Sequence, residues 1–286
     1  MPTRLLDLMP TESGIELRLI LSSHITAKYV ALSRCWGNCQ IAKTTSENIH
    51  SMFHNIPLSS LPQTFQDTVN LCREFKIRYL WIDSLCIVQD DIMEWRHEAG
   101  RMTSVYGNAF LVIAASASSD DNIGMFPRRE GHYYHQSDFE WNGHAITVKA
   151  QPWRQHYEHY FSGEGPLATR SWGYQERLLG QRVLSYHQDE LFSECNEMWR
   201  CECGVGDRIG NSKHPYNLRE IFDNGKNHLD ALYREWRQTI VCRYACRDLS
   251  KASDKLPAIS RVTEAFRSRL DDDYVAGLCR MAERGL

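Results

Sequence analysis

The stretch Arg78–Tyr106, RYLWIDSLCIVQDDIMEWRHEAGRMTSVY, runs from an apolar segment through acidic residues into a helical pattern that carries a carboxylate, Glu98. Ile92, Trp95, Ala99, Met102 and Tyr106 follow helical spacing and form one stripe, with Glu94, His97, Arg101 and Ser104 opposite. At about 100° per residue, Glu98 falls nearer the stripe than the polar face. Desolvating a carboxylate is costly. Glu98 is therefore either a structural group, paired with a buried arginine or set at the solvated edge of the stripe, or a functional one whose pKa its surroundings raise.

Two further groups carry chemistry. The run YVALS ends in Ser33, Arg34, Cys35, Trp36 and Gly37, and the strand-like RYLWI ends at Asp83, followed by Cys86, Gln89, Asp90 and Asp91. Polar residues just past a buried strand are where α/β proteins place ligands; the competing reading of Ser33–Gly37 is a tight turn with Trp36 capping the core. The segment RSWGYQER contributes Arg170, Trp172, Gln175, Glu176 and Arg177. Its arginines suit bidentate capture of phosphate or carboxylate, and Trp36, Trp95 and Trp172 offer faces for a flat ring. The competing reading is an Arg–Glu network that locks the C-terminal region onto the sheet. Cys35 and Cys86 are candidate thiolates, but spacing identifies no histidine as their base. No Walker loop, GxGxxG, HExxH or GxSxG occurs, which removes the commonest kinase, dehydrogenase and hydrolase readings.

These residues need elements to hold them. Ile15–Leu21 and Lys28–Ser33 read as strands on either side of a Ser-Ser-His turn, and Tyr79–Ile82 and Ala109–Ala115 as two more. SSLPQTFQDTVNLCREF reads as a helix with Ser60 and Gln63 as a capping box and Phe65, Val69 and Cys72 as its apolar stripe. The order β–α–β–α–β with short links predicts a parallel α/β sheet. Beyond it, Tyr133–Trp141 and Ala145–Ala150 form a predicted hairpin across Asn142-Gly143. A short helix at Tyr174–Leu179 leads into a strand at Arg182–Tyr186, with Leu191–Glu194 as its hairpin partner. Helices follow at Leu229–Tyr244 and Ile259–Arg269. The expected division is an α/β core over 1–125 and a mixed α+β extension over 126–286, packed together as one integrated domain.

Composition sets the frame. The apolar fraction of 42% and charged fraction of 24% are those of a globular chain, and eight Trp with thirteen Tyr predict large aromatic cores or ligand walls. A net charge of −3 gives no support for a nucleic-acid partner. No apolar run is long enough to span a bilayer, and MPTRLLDLMP is not a signal peptide, so a cytoplasmic location is expected. Ten cysteines then read mostly as free thiols. The densest group, Cys195, Cys201 and Cys203 near His187 and His214, lacks the C-x-x-C pair usual in zinc modules, so no metal ligands are assigned.

Five segments, YVALSRCWG, LPQTFQDTV, RYLWIDSLCIVQDD, EWRHEAGRMTSVYGNAFLVIAAS and RSWGYQERLLGQRVLSY, together resemble the fungal heterokaryon-incompatibility (HET) domain. WRQTIVCRYACRDLSKASDKLPAIS and DDDYVAGL resemble the region that follows these motifs in such proteins, so the likeness covers about Pro2 to Gly277. Arg34 stands where the family usually has an aromatic residue. The chain also ends near the point where the family's region usually continues to a Leu-Leu-Trp motif, as in a natural minimal member or an excised domain.

The resemblance implies a role in fungal non-self recognition and programmed cell death. It also implies a distant likeness to Toll/interleukin-receptor (TIR) domains, with a TIR-like or flavodoxin-like, mostly parallel central sheet flanked by helices. Some TIR domains cleave NAD at the nicotinamide bond with a glutamate on the helix after a central strand, and Glu98 takes that topological place.

The expected activity is therefore NAD or nucleotide glycohydrolysis, with NAD as substrate and no cofactor required. Glu98, Asp83 and Ser33 are the expected catalytic residues. Arg34, Cys35, Trp36, Gly37, Cys86, Gln89, Asp90, Trp95, Arg101, Arg170, Trp172, Gln175, Glu176 and Arg177 are the expected ligand contacts. Two alternatives stand beside it: a HET scaffold repurposed as a small-molecule enzyme of secondary metabolism, and a non-enzymatic signalling module that self-assembles or binds other incompatibility proteins.

Overall fold

The apolar runs of the sequence become the centre of one sheet. The computed structural model describes residues 1–8, 17–37, 42–127, 135–150, 165–188, 190–195, 197–202, 208–209, 229–249, 252–270, 274–275 and 278–279. In chain order its first elements are β1 (Arg4–Asp7), β2 (Arg18–Leu21), β3 (Tyr29–Ser33), α1 (Ile49–His54), α2 (Gln63–Glu74), β4 (Tyr79–Trp81), α3 (Asp83–Cys86), α4 (Ile92–Asn108) and β5 (Leu111–Ala114). A hairpin of β6 (His135–Trp141) and β7 (His144–Ala150) follows. Then come α5 (Ser171–Leu179), β8 (Arg182–Tyr186), β9 (Leu191–Cys195), β10 (Met198–Cys201) and β11 (Arg208–Ile209).

A nine-stranded sheet runs β11-β10-β9-β8-β5-β3-β4-β1-β2. Its centre is parallel: β3 pairs with β4 on one side and β5 on the other, and β5 pairs with β8. Antiparallel strands extend both edges. The predicted parallel α/β sheet is thus present, and strands from the C-terminal half continue it without a break. β3 is buried at every position, which matches its continuous apolar run.

Strand β1, which lies between β4 and the edge strand β2, has no counterpart in the sequence reading. Its four residues, RLLD, are all buried, and the charged ends would argue against that if the strand stood alone. Partners elsewhere compensate. Arg4 pairs with Glu94, and Asp7 accepts two hydrogen bonds from Arg78 at 2.8 and 2.7 Å. β2 pairs with β1 and not with β3, so the strands flanking Ser23-His24 lie apart in the sheet.

Two other expectations change. Gln63 starts α2, but its N-cap is Pro62 with no side-chain cap, because the Ser60 hydroxyl is spent on the Pro57 carbonyl at 2.7 Å. In α4, Ile92 is 62% exposed; the buried face begins later, at Glu98, Met102, Val105 and Tyr106. The N-cap of α4 is Asp91, whose carboxylate accepts from the amides of Met93 and Glu94.

The hairpin β6–β7 turns at Asn142 and Gly143 with φ of 50° and 76°, the left-handed pair that a two-residue turn requires. The expected helix at Leu229–Tyr244 is three joined pieces: α6 (Leu229–Arg234), a π-helical stretch (Glu235–Val241) and α7 (Cys242–Ala245). It packs with α8 (Ser260–Leu270) around Trp236, Ile240, Val262 and Phe266 in a second core. Trp172 and Leu179 of α5 touch both this core and that of the sheet. Helix α5 is therefore the joint between the two halves. The last described elements are two short paired strands, β12 (Tyr274–Val275) and β13 (Leu278–Cys279).

Candidate functional site

The chain leaves β3 for β4 on one side and returns to β5 on the other. The crevice at the C-terminal ends of β3 and β5 is therefore a topological switch point, the place where open α/β sheets bind ligands. Ser33 ends β3 there, and α5 comes down on it. The Ser33 hydroxyl donates to Oε2 of Glu176 at 2.5 Å.

Glu176 is almost wholly buried, at 7% exposure. Burial pushes its carboxyl up to about 7, against the Ser33 hydrogen bond, the Arg170 charge and a hydrogen bond with Tyr106, while Asp83 adds to the rise. The Tyr106 hydroxyl also donates to the Leu32 carbonyl at 3.0 Å. A carboxyl that titrates near neutrality and sits within hydrogen-bond reach of a hydroxyl has the properties of a general acid or base. Arg170, the N-cap of α5, donates to the backbone carbonyl of Arg34, so its charge lies close to this pair.

Arg34 is the hub of a second, adjoining network. Its Nη1 donates to Asp121 at 2.6 Å, and its Nη2 to Asp83 at 3.0 Å and to Ser84 Oγ at 2.9 Å. The guanidinium also lies over the rings of Phe65 and Trp36, at 4.6 and 5.4 Å. Trp36 Nε1 donates to the other Asp83 oxygen at 2.6 Å. Burial pushes Asp121 up to about 6, although Arg34 opposes it. Arg34 is thus consumed by two carboxylates, and the cation expected beside the site is internally neutralised.

The other predicted residues lie apart from these two networks or serve to pack and brace them. Glu98 is 2% exposed. It accepts from Thr3 Oγ1 and, at 3.4 Å, from Arg101 Nη1, with His97 at 4.0 Å. Arg101 holds Thr3 and the Met1 carbonyl as well. Glu98 and Arg101 therefore tie the N-terminal strand to α4, and none of Glu98's partners belongs to the Ser33–Glu176 group. Gln89 donates to the carbonyls of Asp83 and Ile87, and exposed Asp90 accepts from Ser46, so both brace the loop before α4. Trp95 packs, half-buried, on the sheet core.

Cys35 and Cys86 are buried, and burial pushes their thiols up to about 11 and about 12, which leaves neither activated as a nucleophile. Gly37 has a φ of +67°, and a Cβ there would meet Asp120 Cβ at 2.2 Å, so only glycine fits the turn. Arg177 is bound by Glu194 through Nε and Nη2, at 2.8 and 3.1 Å. Gln175 is buried, and its Oε1 has no hydrogen-bond partner among the described residues. Of the cysteine group, Cys195 and Cys201 lie on β9 and β10, while Cys203 and His214 lie outside the described residues. Among the described residues no helix is long and apolar enough to cross a membrane.

A cavity of about 40 Å³ opens beside Ser33, walled by β3, β5, β8 and α5 and by Arg247. Tyr106, Asp121 and Arg247 were not singled out from sequence. Tyr106 appears in the helical stripe only as a core residue. Nothing in the spacing connects Asp121 to Arg34, 87 positions away.

Among known proteins, residues 29–176 match the family model described as Heterokaryon incompatibility protein (HET). The matched region opens on β3 and closes on Glu176, so it contains both partners of the Ser33–Glu176 bond. No curated protein matches the chain, and no solved structure does.

Proposed function

Since the chain belongs to the heterokaryon-incompatibility (HET) family, we propose that it is an incompatibility effector that hydrolyses the N-glycosidic bond of a nucleotide such as NAD, with Glu176 as the reacting carboxylate. The observation that carries this reading is the buried Glu176 carboxyl hydrogen-bonded to Ser33 at the switch point of the sheet, where burial pushes its pKa up to about 7. In the reaction the C–N bond breaks with its electron pair passing to the nicotinamide ring. Water then bonds to the anomeric carbon and gives up a proton. A carboxylate beside the sugar stabilises the oxocarbenium-like transition state and accepts that proton. Trp36, half-buried and oriented by Asp83, offers a face for the base.

Glu98 takes no part in this version. Its contacts with Thr3 and Arg101 serve the joint between the N-terminal strand and α4. Incubating the full chain with NAD and following free nicotinamide tests the reading. Release by the wild type and its loss in Glu176→Gln support it. Absence of release at high protein concentration, clustered or not, ends it.

One observation favours the non-enzymatic reading. Phe139 and Trp141 lie on one face of β6, with Ile146 opposite Phe139 on β7. They are 56%, 69% and 42% exposed. An exposed apolar face of this kind suits assembly. A module that still kills as Glu176→Gln but not as Trp141→Ser would act by that route.

A further inference from the structure

We infer that the cavity beside Ser33 is a binding site for one phosphate-sized oxyanion, held by Arg247 and Tyr174. The inference stands whether or not Glu176 performs glycosidic chemistry. Its basis is charge, size and unmet hydrogen bonding.

Arg247 lines the cavity. Its Nη1 donates to the Ala168 carbonyl, and its buried Nε has no hydrogen-bond partner among the described residues. No carboxylate among the described residues forms an ion pair with it. Burial lowers its pKa to about 10, and the charges of Arg177 and Arg243 push the same way while Tyr174 opposes them. A half-buried cation crowded by like charges is stabilised most by an anion.

Tyr174 supplies the second contact. It is 3% exposed, its ring lies 4.4 Å under the Arg247 guanidinium, and its hydroxyl has no hydrogen-bond partner among the described residues. Burial pushes the phenol up to about 12, so it remains a neutral donor. Ser116 and Ser185 add hydroxyls to the wall, and His187, held down to about 3 by burial and by Arg177, adds a neutral imidazole. Among the described residues, no Asp or Glu lines the cavity. This excess of donors over acceptors suits an anion and repels none.

Size narrows the ligand. A water needs roughly 10–15 Å³ of such space. The cavity of about 40 Å³ therefore holds a few waters or a single tetrahedral oxyanion. A larger molecule would place only its phosphate group here. Free phosphate and a nucleotide phosphate share this chemistry.

Calorimetric titration of the full chain with inorganic phosphate, at constant ionic strength set with chloride, tests the site. Wild type is expected to bind, Arg247→Met to bind at least about tenfold more weakly, and Arg247→Lys to retain part of the affinity. Tyr174→Phe keeps the ring and loses one donor, so its weaker binding reports on the site even if Arg247→Met misfolds. Competition by ADP-ribose assigns the site to a nucleotide phosphate; its failure to compete assigns it to free phosphate. Glu176→Gln should still bind phosphate, which separates this inference from the glycosidic reading. Absence of phosphate binding by the wild type leaves a cavity filled with water and overturns the inference. Equal binding by wild type, Arg247→Met and Tyr174→Phe also overturns it.

Discussion

Ser33 and Glu176 lie 143 positions apart and share one hydrogen bond of 2.5 Å. The bond joins the end of the central strand to the helix that bridges both hydrophobic cores. It also sets a hydroxyl against a carboxyl that burial pushes up to about 7, and the hydrogen bond opposes that rise.

The first consequence is a division of labour between two buried glutamates. Glu176→Gln should lower nicotinamide release by about 10²-fold or more. Glu98→Gln should leave catalysis nearly intact and instead loosen the Thr3–Arg101 tie, seen as a lower Tm. Parallel assays of the two folded variants decide between them, and the opposite pattern would return the catalytic role to Glu98.

Stability should depend on pH through Glu176. Its folded pKa of about 7 lies above the ordinary 4.5, so the folded state binds the proton more tightly than the unfolded chain. This contribution is fully present below the ordinary value and is lost as pH rises through about 7. The loss is on the order of 3 kcal/mol for a shift of this size. Asp121, raised from 3.8 to about 6, acts in the same direction over its own lower window. Urea unfolding across this range should show stability falling with pH, and more gently in Glu176→Gln.

Arg34→Met should destabilise the fold strongly. It leaves Asp83 and Asp121 without their shared guanidinium, and breaking a buried ion network from one side costs about 3–5 kcal/mol. Arg34→Lys should rescue little, because two separate nitrogens reach the two carboxylates and Ser84. Chemical denaturation of both variants is the measurement.

Two glycines in left-handed turns should respond unequally to alanine. Gly143 faces open space at φ +76°, so Gly143→Ala should cost roughly 1–2 kcal/mol from backbone strain alone. Gly37 has a similar φ of +67° but lies against Asp120, so Gly37→Ala adds a steric clash and should lose clearly more. A smaller change in Tm for Gly37→Ala than for Gly143→Ala would refute this packing account.

Local pattern determined much of this protein by itself. Period and length revealed β3, α2, β4, α4 and β5, because unbroken apolar runs and helical stripes are properties of neighbouring residues. The same stripe marked Glu98 as buried, and the Asn142-Gly143 pair marked the hairpin. Tertiary structure decided the rest. RLLD became a buried strand only because Glu94 and Arg78 met its charges. Glu98 acquired Thr3, 95 positions away, and Glu176 acquired Ser33. Arg34 was neutralised, while Arg247 kept its charge without an ion-pair partner among the described residues. Burial is written into the local pattern of side chains. The partner that makes a buried charge structural or reactive comes from distant chain, and only the folded packing brings it there.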